Sequence, residues 1–129
     1  MSKEEKVCIK VLASMINYAA GQLAKFDNDF ISKLKGLDEI IQWKIGEDIA
    51  YYTEIKDGCI RREDGIASNP SVTFEISDIS EALNLLTGRA DITKMLDKIK
   101  MSGDAAKIQQ LSFIMETVGN YMEGLTGGG

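Results

Sequence analysis

Histidine is absent from the sequence. That removes the commonest general base, the Ser-His and Cys-His nucleophile pairs and the commonest metal ligand. A catalyst built from this chain would have to work with carboxylates, Lys, Tyr or Cys alone. The two cysteines, Cys8 and Cys59, are isolated and form no CxxC pair, so no redox motif or zinc knuckle is written here. A disulfide between them is not expected in a reducing compartment. Basic residues are the minority: 15 Lys and Arg face 20 Asp and Glu, for a net charge of −5, and they form no long run. Phosphate backbones bind through clustered Lys and Arg, so nucleic acid is not an expected partner. No uninterrupted apolar run comes near the roughly 18 residues of a spanning helix. The opening "MSKEEKVCIK" lacks the apolar stretch of a signal peptide. The expectation is a cytoplasmic protein with at most transient membrane contact.

What is present suits one domain. A chain of 129 residues buries about two thirds of the surface its unfolded form exposes, so a core can form without staples. Residues 1–125 read as a single domain, and 126–129 ("TGGG") as a flexible tail.

Ser2 and Glu5 make a capping-box signal. Behind it Cys8, Leu12, Met15, Ala19, Leu23 and Phe26 recur at helical spacing, widened by Ile9, Ile16 and Ala20. Cys8 lies in that apolar arc and reads as a buried thiol acting as a small hydrophobe. A short helical turn follows, with Asp27 or Asn28 as cap and Gly36 as stop.

The period then changes to two. Ile41, Trp43 and Ile45 oppose Gln42 and Lys44, and Tyr51, Thr53 and Ile55 oppose Tyr52, Glu54 and Lys56. Gly46-Glu47-Asp48 reads as the turn between them, and Asp57-Gly58 is a hairpin signal with "CIRRE" returning. After Asn69-Pro70, Val72, Phe74 and Ile76 alternate with Thr73 and Glu75. Such alternation describes an antiparallel sheet with one face wet and one covered.

Asp78 with Glu81 opens a helix whose inward stripe is Ile79, Ala82, Leu83 and Leu86 and whose stop is Gly88. Asp91 caps a shorter one carrying Ile92, Met95 and Leu96, and "KIKM" reads as a short strand. The last helix runs from about Asp104 to Glu123. Ile108, Leu111, Met115, Val118, Met122 and Leu125 step by three and four, and Ile114 and Tyr121 extend that face. Phe113 lies on the opposite side, as a scattered surface residue, a packing contact under the N-terminal helix, or a contact with a partner or lipid surface. The whole is an α+β domain of two layers.

Two clusters invite a chemical reading. The corner Ser102-Gly103-Asp104 before a helix could cradle a phosphate. A P-loop needs GxxxxGK followed by Ser or Thr, and this corner has one glycine. Asp104 would itself occupy the helix N-terminus and repel a phosphate, so the fold-corner reading is the stronger. Asp57, Glu63 and Asp64 near the hairpin are carboxylates of the acid–base type. A solvated hairpin end, screened by Arg61 and Arg62, accounts for them without catalysis.

From about Gly36 onward the chain resembles the sterol carrier protein two (sterol-transfer) domain family. The pieces that carry the resemblance are "IIQWKIG", "YYTEIKDGCI", "NPSVTFEISDISEALNLLTGRAD" and "KIKMSGDAAKIQQL". The family shows a Thr-Gly-basic helix end, matched by Thr87-Gly88-Arg89, then a lysine-rich short strand, a glycine-aspartate corner and a long closing helix. The resemblance implies a sheet of about five strands, mainly antiparallel, with helices covering one face and an apolar tunnel between the layers.

It also implies a non-enzymatic protein that binds or carries an apolar lipid, such as a fatty acid, fatty acyl thioester or isoprenoid-like lipid, with no cofactor. The ligand-binding wall expected from these residues is Trp43, Phe74 and Ile76 from the sheet with Leu111, Met115, Val118 and Met122 from the last helix. A Met and aromatic stripe at helical spacing is also what an ordinary core looks like, so the same residues fit a filled interior. The alternative function is therefore a protein-interaction or accessory domain of a lipid-modifying system, with a homodimer or protein partner held through the C-terminal helix.

Overall fold

The computed structural model describes residues 2–86 and 99–125, the side chains of 122–125 excepted. Helix α1 spans Lys3–Phe26. Ser2 caps it as its sequence suggests: the Ser2 hydroxyl accepts from the Glu5 N–H at 3.1 Å, and the Glu5 carboxylate accepts from the Ser2 N–H at 3.0 Å. Asp27 ends α1 and at once caps α2, Asn28–Leu34, by accepting from the Phe30 N–H at 3.1 Å.

The buried seam of α1 is Ile9, Ala13, Ile16, Ala20 and Leu23. This corrects the expected face. Cys8 is exposed, and Met15 and Phe26 are 50% and 79% exposed. An apolar arc this wide leaves the choice of face to packing, and the seam chosen includes the small residues Ala13 and Ala20 on a helix that packs on β3, Cys59–Asp64, among other elements. At 24 residues α1 is also long and apolar enough to cross a membrane by length and composition. No uninterrupted run reveals this, because Lys10, Ser14 and Asn17 break the sequence.

The sheet is built from β1 (Glu39–Ile45), β2 (Ile49–Lys56), β3, β4 (Val72–Ile76) and β5 (Lys100–Gly103), in the order β3-β2-β1-β4-β5. Asp57 and Gly58 both have positive φ, 54° and 75°, as a two-residue hairpin turn requires. β1 with β2, β2 with β3 and β4 with β5 are antiparallel. β1 and β4 run parallel, so the sheet is mixed and mainly antiparallel, as expected. Period-two alternation carries no direction, and the link from β3 to β4 is far shorter than the dozen or more residues usual for a crossover.

That link crosses the outer face of the sheet and is fastened there. Ser71 N–H donates to the Ile40 carbonyl at 2.8 Å, and the Ser71 hydroxyl accepts from the Ile40 N–H at 3.2 Å. Gln42, expected on a wet face, is buried beneath it at 1% exposure. Its side-chain amide donates to the carbonyls of Tyr51 and Gly65, each at 3.0 Å, and accepts from the Ala67 N–H at 2.7 Å.

Helix α3 spans Ile79–Leu86 and is capped by Asp78, which accepts from the N–H groups of Ser80 and Glu81. The Gly88 stop, the Thr87-Gly88-Arg89 motif, the Asp91-capped helix with Ile92, Met95 and Leu96, and the TGGG tail lie outside the described residues. Helix α4 spans Ala105–Leu125. The opening corner is structural: Asp104 accepts from the Ala106 N–H at 2.8 Å. At Gly103 φ is 120°, and an added Cβ would sit 2.6 Å from the Ser71 carbonyl oxygen. The edge strand can lie against β4 here only because that position has no side chain.

Ile108, Leu111, Ile114 and Val118 of α4 are buried and Met115 partly so, on the expected face. Phe113 packs edge-to-face on Phe30 of α2, with ring centroids 5.4 Å apart. The large exposed apolar side chains lie mainly on α1, where Val7, Val11, Met15, Tyr18 and Phe26 are accessible; α4 contributes Tyr121.

Candidate functional site

Strand register sets three aromatic rings side by side on the helix-covered face of the sheet. Trp43 pairs with Tyr51 on one flank and with Phe74 on the other. Their centroids are 6.2 and 4.8 Å apart, with interplanar angles of 18° and 30°. This floor, three strands wide, lies beneath α1 and α4.

Between floor and helices is an apolar cavity of about 40 Å³. Ile41, Trp43, Tyr51, Thr53, Ile60 and Phe74 line it from the sheet, Ala13, Ile16, Asn17 and Ala20 from α1, and Leu111, Ser112 and Met115 are among its α4 walls. Such a volume holds a few waters at ~10–15 Å³ each. It is roughly a tenth of the ~300–1,000 Å³ of a pocket filled by a drug-sized ligand. Among the described residues this cavity is too small to be an open tunnel by itself.

Of the wall residues named from the sequence, Trp43, Phe74, Leu111 and Met115 meet at the cavity. Ile76 and Val118 are each 1% exposed and pack in the core outside its lining. The Met122 side chain lies outside the described residues.

The polar groups around the cavity were not singled out from the sequence. Asn17 Oδ1 is buried and has no hydrogen-bond partner among the described residues. Arg62, opposite Thr53 in register, lies over the Tyr51 ring with its guanidinium carbon 5.0 Å from the centroid. One Arg62 nitrogen donates to Asp64 at 2.8 Å, while its Nε is buried without a partner. Burial pushes the Tyr51 phenol well above its ordinary value, against the opposing pull of Arg62. One signal for Asn17 was available: it lies four residues after Ala13 and three before Ala20, a polar residue on the buried seam.

Among the described residues, two polar contacts hold α4 over the cavity. Near its start Lys107 donates to Glu39, which begins β1 and is 8% exposed. Burial pushes the Glu39 carboxyl up, but hydrogen bonds from Lys107 and Ser71 outweigh it and hold it below its ordinary range. Near the other end the Tyr121 hydroxyl donates to Asp27 at 2.9 Å.

The acidic residues weighed as acid–base groups do not form a cluster. Asp57 occupies the hairpin turn, whereas Glu63 and Asp64 pair with Tyr52 and Tyr51 at the far end of β3. Arg61 and Arg62 hold Glu54 and Asp64 in ion pairs. Among the described residues no three carboxylates or thiols gather closely enough to hold a metal ion.

The family model described as the SCP-2 sterol transfer family matches residues 21–116. No curated protein sequence matches the chain. Several solved structures share the fold. The solution structure of palmitated SCP2L2 from Aedes aegypti is 19% identical, with a TM-score of 0.59, over 89% of this chain and 95% of that one. Sterol carrier protein domain 2 of Helicoverpa armigera is 16% identical, with a TM-score of 0.64, over 83% and 87%. The UbiJ-SCP2 ubiquinone synthesis protein is 11% identical, with a TM-score of 0.64, over 88% and 96%.

Proposed function

The chain belongs to the SCP-2 sterol transfer family, whose members bind and transfer lipids, and we propose that it is a non-enzymatic carrier of a single apolar lipid: a fatty acid, fatty acyl thioester or isoprenoid-like chain. The observation that supports this reading is the cavity between the aromatic floor and α4, apolar on nearly every side.

Burying about 15 methylenes at ~0.8 kcal/mol each gives roughly 12 kcal/mol gross. Lost ligand freedom costs at least about 4 kcal/mol, leaving at most about 8 kcal/mol, roughly micromolar affinity. Widening the small cavity lowers this further, because a ligand that binds a minor wider state has its affinity reduced by that state's population. α4 is the element to move. Its described polar ties to the rest of the fold are near its two ends, and an unbranched Met115 lines the cavity between them. Native mass spectrometry of freshly purified protein, followed by titration with a fluorescent fatty acid, tests this. A co-purified lipid and saturable binding are expected. A titration flat to high micromolar concentration, with no adduct, overturns it.

The second reading is an accessory interaction domain with a filled core. The apolar residues left exposed along α1, Val7, Val11, Met15 and Tyr18, favour it. They replace the C-terminal helix as the surface a protein partner or second copy would use. Lipid-free protein whose self-association is lost on substituting Val11 and Met15 by Glu is the outcome that favours this reading over the first.

A further inference from the structure

We propose that Asn17 and Arg62 form a head-group subsite at the β3 side of the cavity, for an uncharged lipid head that both donates and accepts a hydrogen bond, a hydroxyl. The inference rests on the carrier reading and narrows its lipids to one with a hydroxyl head, such as an isoprenoid-like alcohol, rather than a fatty acid or acyl thioester.

Two buried polar atoms near one apolar cavity are without partners among the described residues: an acceptor, Asn17 Oδ1, and a donor, Arg62 Nε. Buried polar groups are nearly always paired, and an unpaired one in a native fold calls for a cause. Asn17 is in the cavity wall itself. Arg62 adjoins that wall: it is opposite Thr53 in register, two residues beyond Ile60 on the same strand face, and stacked over Tyr51, all three lining residues. α1, which carries Asn17, packs on β3, which carries Arg62.

The pair selects its occupant by chemistry. A hydroxyl gives a proton to Asn17 Oδ1 and takes one from Arg62 Nε–H. An ether can only accept. An ionised carboxylate also only accepts, and would set its charge beside the Asn17 oxygen. The Arg62 cation is already matched by Asp64 at 2.8 Å, so what it has left to offer is one inward N–H rather than a free positive charge.

Binding of decanol, decyl methyl ether and decanoate to the full chain tests the assignment. Decanol is expected to bind about three- to tenfold tighter than the ether, the worth of one ordinary hydrogen bond, and tighter than decanoate at neutral pH. Asn17→Leu should bring the affinities for decanol and ether together, whatever the larger side chain does to both. Arg62→Met should weaken both, since both offer an acceptor. The Asn17→Leu protein should melt no lower than the native chain, which separates a ligand contact from a structural one. Equal affinities for alcohol and ether in the native chain, or a preference for decanoate, overturn the subsite while leaving the carrier reading standing. Failure of all three probes to bind overturns the carrier reading itself and the subsite with it.

Discussion

Gln42 and Asn17 both carry a primary amide into largely apolar surroundings, on opposite sides of the sheet, and the fold treats them in opposite ways. The amide of Gln42 reaches the carbonyls of Tyr51, Gly65 and Trp43, and its oxygen takes the Ala67 N–H. Those partners also fix which way round the amide lies, since exchanging its ends would set an oxygen against three carbonyls. Asn17 has its oxygen buried at the edge of a cavity with no described partner. A fully met buried network specifies a structure, and a partly met one costs stability. The outer face of the sheet is therefore organised to stay fixed, and the inner face keeps an unmet polar atom beside free space.

The comparison breaks first at Gln42. Gln42→Leu keeps a side chain of similar size and strands the Ala67 N–H and the Gly65 carbonyl of the loop that joins β3 to β4. Each such loss costs about 1–3 kcal/mol. A fall of about 2–4 kcal/mol in unfolding free energy is expected from urea titration. A fall below about 1 kcal/mol would mean that the loop is held by Ser71 alone.

Glu39 sharpens the contrast by adding a charge. It is the buried member of the pair that fastens α4, and its carboxyl lies below its ordinary value of 4.5 in the fold. A carboxyl depressed on folding contributes stability that is complete above its unfolded value and is lost as pH falls through the folded one. The native chain should lose stability on going from about pH 7 to about pH 3, and Glu39→Gln should lose less of it over the same interval. Lys107 is raised by the same partner, so the pair also weakens in alkali, as pH climbs past the lysine's folded value. The effect is smaller than that at Gln42 because the Lys107 end is half in water. Urea midpoints at the two acidities, compared between the two proteins, decide it, and parallel slopes would dissociate Glu39 from the acid response.

The two-layer plan was legible because its signals are local. The Ser2 box, the Asp57-Gly58 turn, the Asp78 and Asp104 caps and the Trp43–Phe74 alternation each depend on neighbours within a few residues. The direction of β4 was not, since a strand's pattern is the same read either way. Nor was the seam of α1, where apolar residues nearly encircle the helix and tertiary packing buries Ile9 and Ala13 rather than Cys8 and Met15. At the site, Trp43, Phe74, Leu111 and Met115 were found as large apolar residues on the right faces. Asn17 and Arg62 were not, because their significance lies in which atoms lack partners, a property of three-dimensional neighbours.

The smallest expected effect is the most discriminating, because its sign is opposite to that at Gln42. Asn17→Leu removes a buried oxygen that no described group meets and adds apolar surface to a wall already formed by Ala13, Ile16 and Ala20. Stability should hold or rise by up to about 1 kcal/mol. Helix propensity contributes to such a gain, since Leu and Ala both suit a helix interior better than Asn. Asn17→Ala therefore serves as the companion, sharing the propensity gain without filling the space. If cavity filling matters, the Leu variant is the more stable of the two, and the difference between them is the part owed to the cavity. A fall of more than about 1 kcal/mol in both variants would show that the Asn17 amide bears structure as Gln42 does. The polar edge of the cavity would then belong to the scaffold, and the contrast between the two faces of the sheet would disappear.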